Sequence, residues 1–175
     1  KTCSYDCIYC QLGSTTDKTV EGKEYIPVKT ITGALKEQLK NTKRPQYITL
    51  AGSGEPTLYS HIDILIDEIK KLTDIPIAIL TNGYLLWNTT IRRSSLQADL
   101  IVPLLDAGNE NNFITINRPH HTLSFATMAQ GLIDLRNDYA GAVWLEIFLL
   151  AGINDRRQDI DEFAVYCNKI QPDKI

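Results

Sequence analysis

The stretch "CSYDCIYC", residues 3–10, places three of the chain's four cysteines at the spacing Cys3-x3-Cys7-x2-Cys10. A packed core fills space with apolar side chains and has no need of reactive sulfur. Three thiols this close together point to one group held by all of them. A disulfide would leave an odd cysteine among the three. A structural zinc site usually takes four ligands. The fourth here would have to be Cys167, far along the chain, or one of His61, His120 and His121, none at a clear partner spacing. Iron–sulfur clusters are held by cysteine thiolates in compact loops. Three cysteines on such a loop can take three irons of a cubane and leave the fourth iron open to a non-protein ligand.

Composition bounds what can surround this loop. The chain has 175 residues, is 43% hydrophobic and carries a formal charge of −3. That suits one domain with a sizeable core. With a pI near 5.6 and interspersed charges, there is no electrostatic footprint for nucleic acid. The basic pairs Lys43-Arg44, Arg92-Arg93 and Arg156-Arg157 fall at or near expected helix ends, where cations are favoured. No apolar run approaches the roughly 20 residues of a membrane span, and no signal peptide opens the chain. Four cysteines, three of them crowded, do not make a secreted disulfide framework. The expected compartment is the cytoplasm, with no membrane partner.

Outward from the cysteine loop, strand and helix patterns alternate. "YITLAG" (47–52), "IPIAILTNG" (75–83), "ADLIVPLLDA" (98–107) and "GAVWLEIFLLAG" (141–152) are nearly continuous apolar runs, as expected of parallel strands buried on both faces. Helices are predicted over 28–41, over 61–72 with Ser60 as cap and Asp63 at the capping-box position, over 88–96, over about 123–138 with Thr122 as cap, and over roughly 156–170. A β/α repeat implies a parallel sheet with right-handed crossovers. The expected class is α/β, an open and partial barrel. The cysteine loop begins two residues after Lys1 with no strand before it, and "PDKI" (172–175) reads as the start of another strand. The reading is therefore a fragment cut at both ends. Its strands should lie in sequence order at 47–51, 76–81, 99–105 and 142–150, with residues 1–20 poorly anchored.

In parallel β/α sheets, ligands bind beyond the carboxyl ends of the strands. The segments there are "GSGEP", "TNG", "DAGNE" and "GIND". Each alone reads as an ordinary turn, and for "TNG" and "GIND" that is the favoured reading. Four on one rim beside a cysteine cluster suggest a site.

The CxxxCxxC triplet with an aromatic before its last cysteine, followed in order by "ITLAGSGEPTL", "LTNGYLL", "LLDAGNENNFITINRPH" and "AGIND", resembles the radical S-adenosylmethionine (SAM) enzymes. Within them it is similar to the iron–sulfur oxidoreductases related to tRNA wyosine-type synthases. The resemblance spans nearly the whole chain and implies a partial (β/α)6 radical SAM core domain over 1–175. It implies a [4Fe–4S] cluster on Cys3, Cys7 and Cys10. It also implies SAM at the open iron, and an electron donor such as flavodoxin or ferredoxin. Reductive cleavage of SAM would yield a 5′-deoxyadenosyl radical that abstracts hydrogen.

The resemblance also assigns roles. Gly52, Gly54 and Glu55 of "GSGEP" would meet the methionine ammonium, although Ser53 departs from the family's usual GGE. Asp106 would bond the ribose hydroxyls or cap a helix. Tyr9 would pack near the adenine or serve as a core aromatic. Asn82 would add a polar contact. Glu146 would face the barrel interior, residues 117–121 would join a substrate lid, and Cys167 would have no role. Three readings of function stand. One is a radical enzyme acting on RNA. Another is an activase acting on a partner protein, as glycyl-radical activating enzymes are. The third is a non-catalytic zinc module.

Overall fold

A computed structural model describes all 175 residues. Four parallel strands form one sheet in sequence order, β3 (Ile48–Leu50), β4 (Ile77–Thr81), β5 (Leu100–Pro103) and β6 (Ala142–Val143). Ahead of them, β1 (Thr2–Cys3) and β2 (Asp17–Lys18) make a small parallel pair that closes the cysteine loop. Six helices complete the chain: α1 (Val28–Asn41), α2 (Ile62–Leu72), α3 (Thr89–Ser95), α4 (Glu110–Asn117), α5 (Phe125–Asp138) and α6 (Arg157–Ile170).

The register gives the sheet two unlike faces. Ile79, Ile101 and Val143 lie side by side, and all three are fully buried under the helices. The alternate positions Leu80 and Val102 also pair, but Leu80 is 40% exposed. Because side chains alternate along a strand, the second face is the concave side of a partial barrel. The helices supply the cover. Ile62, Leu65, Ile66 and Ile69 of α2 recur at helical spacing and are all buried, each burial being favourable by about 1.5–3 kcal/mol. Ala129, Leu132 and Leu135 do the same for α5.

Several expectations need correction. Residues 1–20 are firmly attached. Thr16 and Asp17 donate backbone bonds to the Lys1 carbonyl and Thr19 to that of Cys3, while Asp6 and Ile8 donate to Asn117 and Ile116 at the end of α4. Helix α4 itself was not foreseen, because "NENNFITIN" is short and weakly amphipathic. Ser60 does not cap α2; His61 occupies that position without a side-chain bond. Ser124, not Thr122, caps α5, its hydroxyl accepting from the Thr127 N–H. The strand expected over 142–150 pairs as a ladder only at 142–143. Beyond it the chain touches its neighbours through single bridges, Leu104–Glu146 and Trp144–Lys174. It then leaves the sheet because the Phe148 and Leu150 N–H groups turn to the side chains of Asp106 and Asn154.

Candidate functional site

The cysteine loop sits across the carboxyl ends of β3, β4 and β5, and each strand end reaches it through a different side chain. After β3, Gly54 pairs with Thr2 and the Glu55 N–H donates to the Thr2 carbonyl at 3.1 Å. A Cβ on Gly54 would lie 1.9 Å from that oxygen, so only glycine lets the two backbones meet. The close approach expected of this glycine is thus to the cysteine segment. A Cβ on Gly52 would meet nothing within 4 Å.

Glu55 is buried and its oxygens are well occupied. Oε1 accepts from the Thr57 N–H (3.0 Å), the Thr57 hydroxyl (2.6 Å) and the Thr81 hydroxyl (2.5 Å), and Oε2 accepts from the Asn82 N–H (2.8 Å). Burial nevertheless pushes its carboxyl above the usual range, the four donors opposing that rise. The residue ties β3 to β4, and it also caps the 3₁₀ turn Pro56–Leu58.

After β4, "TNG" does more than turn the chain. Gly83 takes φ +77° and starts a second 3₁₀ turn. The Asn82 carboxamide points back at the cysteine loop, its Nδ2 donating to the Ser4 hydroxyl (2.8 Å) and to Cys3 Sγ (3.7 Å). Its Oδ1 accepts from the Tyr84 N–H at 3.1 Å.

After β5, Asp106 is buried beside the loop. Its Oδ2 accepts from the Tyr9 hydroxyl and from Asn117 Nδ2 (3.0 Å), and its Oδ1 from the Phe148 N–H (3.0 Å). Burial raises its carboxyl against these three donors. Helix α4 is capped by Asn109, so the capping role considered for Asp106 falls away. Tyr9 is half-buried, bonded to Asp106 and stacked on Phe148, which sets it apart from a plain core aromatic.

Each cysteine sulfur meets a donor. Cys3 has the Tyr5 N–H at 3.5 Å and Asn82 Nδ2, Cys7 has Asn117 Nδ2 at 3.5 Å, and Cys10 has the Lys1 ammonium at 3.0 Å. All are free thiols. Burial raises the Cys3 thiol and pushes Cys7 up to about 12. Cys167 is elsewhere, in an apolar cavity of about 410 Å³ with Ile147, Phe163 and Ile175. Glu146, by its bridge to Leu104, projects from the concave face and is exposed.

Sequence reasoning did not single out Asn117, Phe148 and Asn154. Asn117 belongs to "NRPHH", where a lid was expected. Its side chain serves Cys7 and Asp106, and the His120 N–H that follows bonds Ser4. Asn154, fully buried, donates to the carbonyls of both Asp106 and Phe148. An asparagine within two residues of a glycine in "GIND" was the available signal, and it was read as a turn.

Comparison with known proteins agrees with this geometry. The chain is 49% identical over 175 residues to "GTPase Obg" of Brachyspira hyodysenteriae, covering all of this chain and 26% of that protein. It is 34% identical over 176 residues to UPF0026 protein MJ1312 of Methanocaldococcus jannaschii, covering 99% of this chain and 54% of that one. The chain thus spans about half, or a quarter, of the length of these relatives. Among solved structures, TYW1 with a lysine–pyruvate adduct bound superposes with a TM-score of 0.72 at 17% identity, over 97% of this chain and 58% of that one. The family model described as "Radical SAM superfamily" matches residues 1–164. The chain belongs to the radical SAM superfamily.

Proposed function

We propose that this protein holds a [4Fe–4S] cluster on Cys3, Cys7 and Cys10 and uses it to cleave SAM for hydrogen abstraction. When bound, the cluster supplies an electron that breaks the C5′–S bond of SAM, giving methionine and a 5′-deoxyadenosyl radical. The observation that carries the reading is the convergence of three strand ends on one cysteine loop, through Gly54–Glu55, Asn82 and Asp106. The donor set fits the group. Three half-buried free thiols share one loop, and three is the number a cubane with one open iron takes. A structural zinc usually takes four protein ligands, and the loop offers three.

The protein's own residues would orient and shield. Gly52 and Ser53 lie at the strand end with free backbone groups for the methionine portion. Glu55 holds that segment rigid and offers the remaining capacity of Oε2 to an ammonium. Asp106 sets Tyr9 flat against Phe148 as an aromatic wall for the adenine. The concave face, where Leu80 pairs with Val102 and Leu104 with Glu146, would front the space in which substrate meets the radical. A low-potential donor of the flavodoxin or ferredoxin class would supply the electron. No helix is long and apolar enough to cross a membrane.

For substrate we propose RNA, on a local cluster of Lys18, Arg118, His120 and His121 in a chain whose overall charge gives no nucleic-acid footprint. Lys18 lies against the Arg118 carbonyl, and His120 stacks with His121 at 4.2 Å on the flank of the cysteine loop. Partial burial and its neighbours His121 and Lys18 lower the His120 pKa, in keeping with a locally positive field. Although one curated relative is named a GTPase, this sequence has no G-x-x-x-x-G-K-[ST] phosphate loop.

The test is anaerobic reconstitution with iron and sulfide. We expect about four irons per chain, 5′-deoxyadenosine on adding SAM and dithionite, and loss of the normal cluster in Cys7→Ala. Stoichiometric zinc without sulfide would overturn the reading. Salt-dependent binding of a tRNA probe, weakened by Lys18→Ala with Arg118→Ala, would support the RNA substrate. Absence of binding at low salt would leave the partner-protein activase.

A further inference from the structure

We infer that Asn82 and Asn117 form a matched pair that sets the reduction potential of the cluster through N–H···S bonds to Cys3 and Cys7. The inference rests on the cluster reading above. A carboxamide NH2 carries two donors, and in both residues the two are divided in the same way. One hydrogen anchors the group, to the Ser4 hydroxyl for Asn82 and to the Asp106 carboxylate for Asn117. The other meets a cysteine sulfur.

The orientation of each amide is dictated by its partners. Asn82 Oδ1 accepts from the Tyr84 N–H, so its NH2 must face the loop. Asn117 faces Asp106, whose Oδ2 already accepts from Tyr9, so the nitrogen must be on that side. Turning either amide over would set donor against donor or oxygen against oxygen. Each asparagine is in turn held by a buried carboxylate at a strand end, Asn82 through its backbone and Asn117 through its carboxamide. Glu55 Oε2 accepts the backbone N–H of Asn82, and Asp106 accepts the side chain of Asn117. Both asparagines are themselves buried, at 7% and 3% exposure, so water cannot substitute for them.

Reduction of the cluster by one electron adds negative charge, much of it on sulfur. A fixed N–H dipole aimed at a ligating sulfur therefore favours the reduced state over the oxidised one and raises the potential, a lever known for iron–sulfur centres. The electron comes from the external low-potential donor, and no proton moves. The two carboxamides are positioning residues that act through the cysteines.

The experiment is an EPR-monitored redox titration of the reconstituted protein beside Asn82→Ala and Asn117→Ala, with iron counted in each sample. We expect the full iron complement and, in each variant, a reduced-to-oxidised ratio about tenfold lower at a fixed potential, equivalent to about 59 mV for one electron. Asn117→Gln, which keeps a donor, should recover part of the shift. If alanine at 117 prevents loading, the near-isosteric Asn117→Leu, which removes both donors without adding charge, takes its place and should lower the potential as well. Full loading with unchanged potentials in the variants at both positions would overturn the inference. Failure of the parent to build any cluster would instead overturn the reading on which it rests.

Discussion

The ring of Phe148 lies flat on the ring of Tyr9, their centroids 4.3 Å apart and their planes within 12°. Asp106 holds both partners, taking the Tyr9 hydroxyl on one oxygen and the Phe148 N–H on the other. Asn154 clamps the Phe148 carbonyl from behind. Such a stack is worth about 0.5–1.5 kcal/mol beyond the area it buries. Phe148→Ala should therefore lower unfolding free energy by about 1–2 kcal/mol. Tyr9→Phe, which keeps the stack and loses one donor to Asp106, should cost less. Urea titrations of the anaerobic apo protein would measure both, and equal losses would show that the hydroxyl, not the stack, matters.

Glu55 gathers four donors. In Glu55→Gln one oxygen can still face Thr57 and Thr81, but the new NH2 is turned toward the Asn82 N–H. An unsatisfied buried donor costs about 1–3 kcal/mol, and that is the expected loss. Glu55→Ala should lose more and should also load less iron, because the Asn82 backbone and Thr2 both hang on this segment. Parent-like midpoints in Glu55→Gln would refute the account.

Gly54→Ala tests the contact between the rim and the cysteine loop. The added methyl would overlap the Thr2 carbonyl, and neither is the far end of a flexible side chain. The bridge between Thr2 and residue 54 should break, exposing residues 1–18 to limited proteolysis while α2 and α5 stay protected. Iron uptake should fall in parallel. Unchanged cleavage near the N-terminus would mean the loop is held chiefly from the α4 side.

Burial raises the Asp106 carboxyl above its ordinary value near 4. The folded state then binds this proton more tightly than the unfolded one does. The favourable contribution is complete below the unfolded pKa and is lost as pH rises through the folded value. Asp106→Asn removes the titration and leaves the raised Glu55 carboxyl common to both proteins. The stability advantage of the parent over the variant should therefore shrink as pH rises above the ordinary carboxylate range. Paired urea midpoints across that rise provide the measurement, and an advantage that grows with pH would contradict the burial argument.

The amino-acid sequence by itself determined the repeat and the family. Apolar runs at 47–52, 75–83 and 98–107, with helical spacing between them, predict a parallel sheet in sequence order, as found, although its concave face leaves Leu80 exposed. Three cysteines in eight residues mark a candidate ligand set with no help from the rest of the chain. Local pattern also carried α1, predicted and observed at residues 28–41. What it could not carry was whatever depends on partners distant in the chain. The run 141–152 is as apolar as any strand, yet it departs from the sheet because Asp106 and Asn154 take its N–H groups. Residues 1–20 looked detached because their anchors are Gly54 and residues 116–120, which only the fold brings near. Asn82 and Asn117 lie 79 and 110 residues from the cysteines they serve. A carboxamide has no periodicity and no charge to betray its task. Its meaning is the direction in which two hydrogens point, and tertiary packing alone sets that direction.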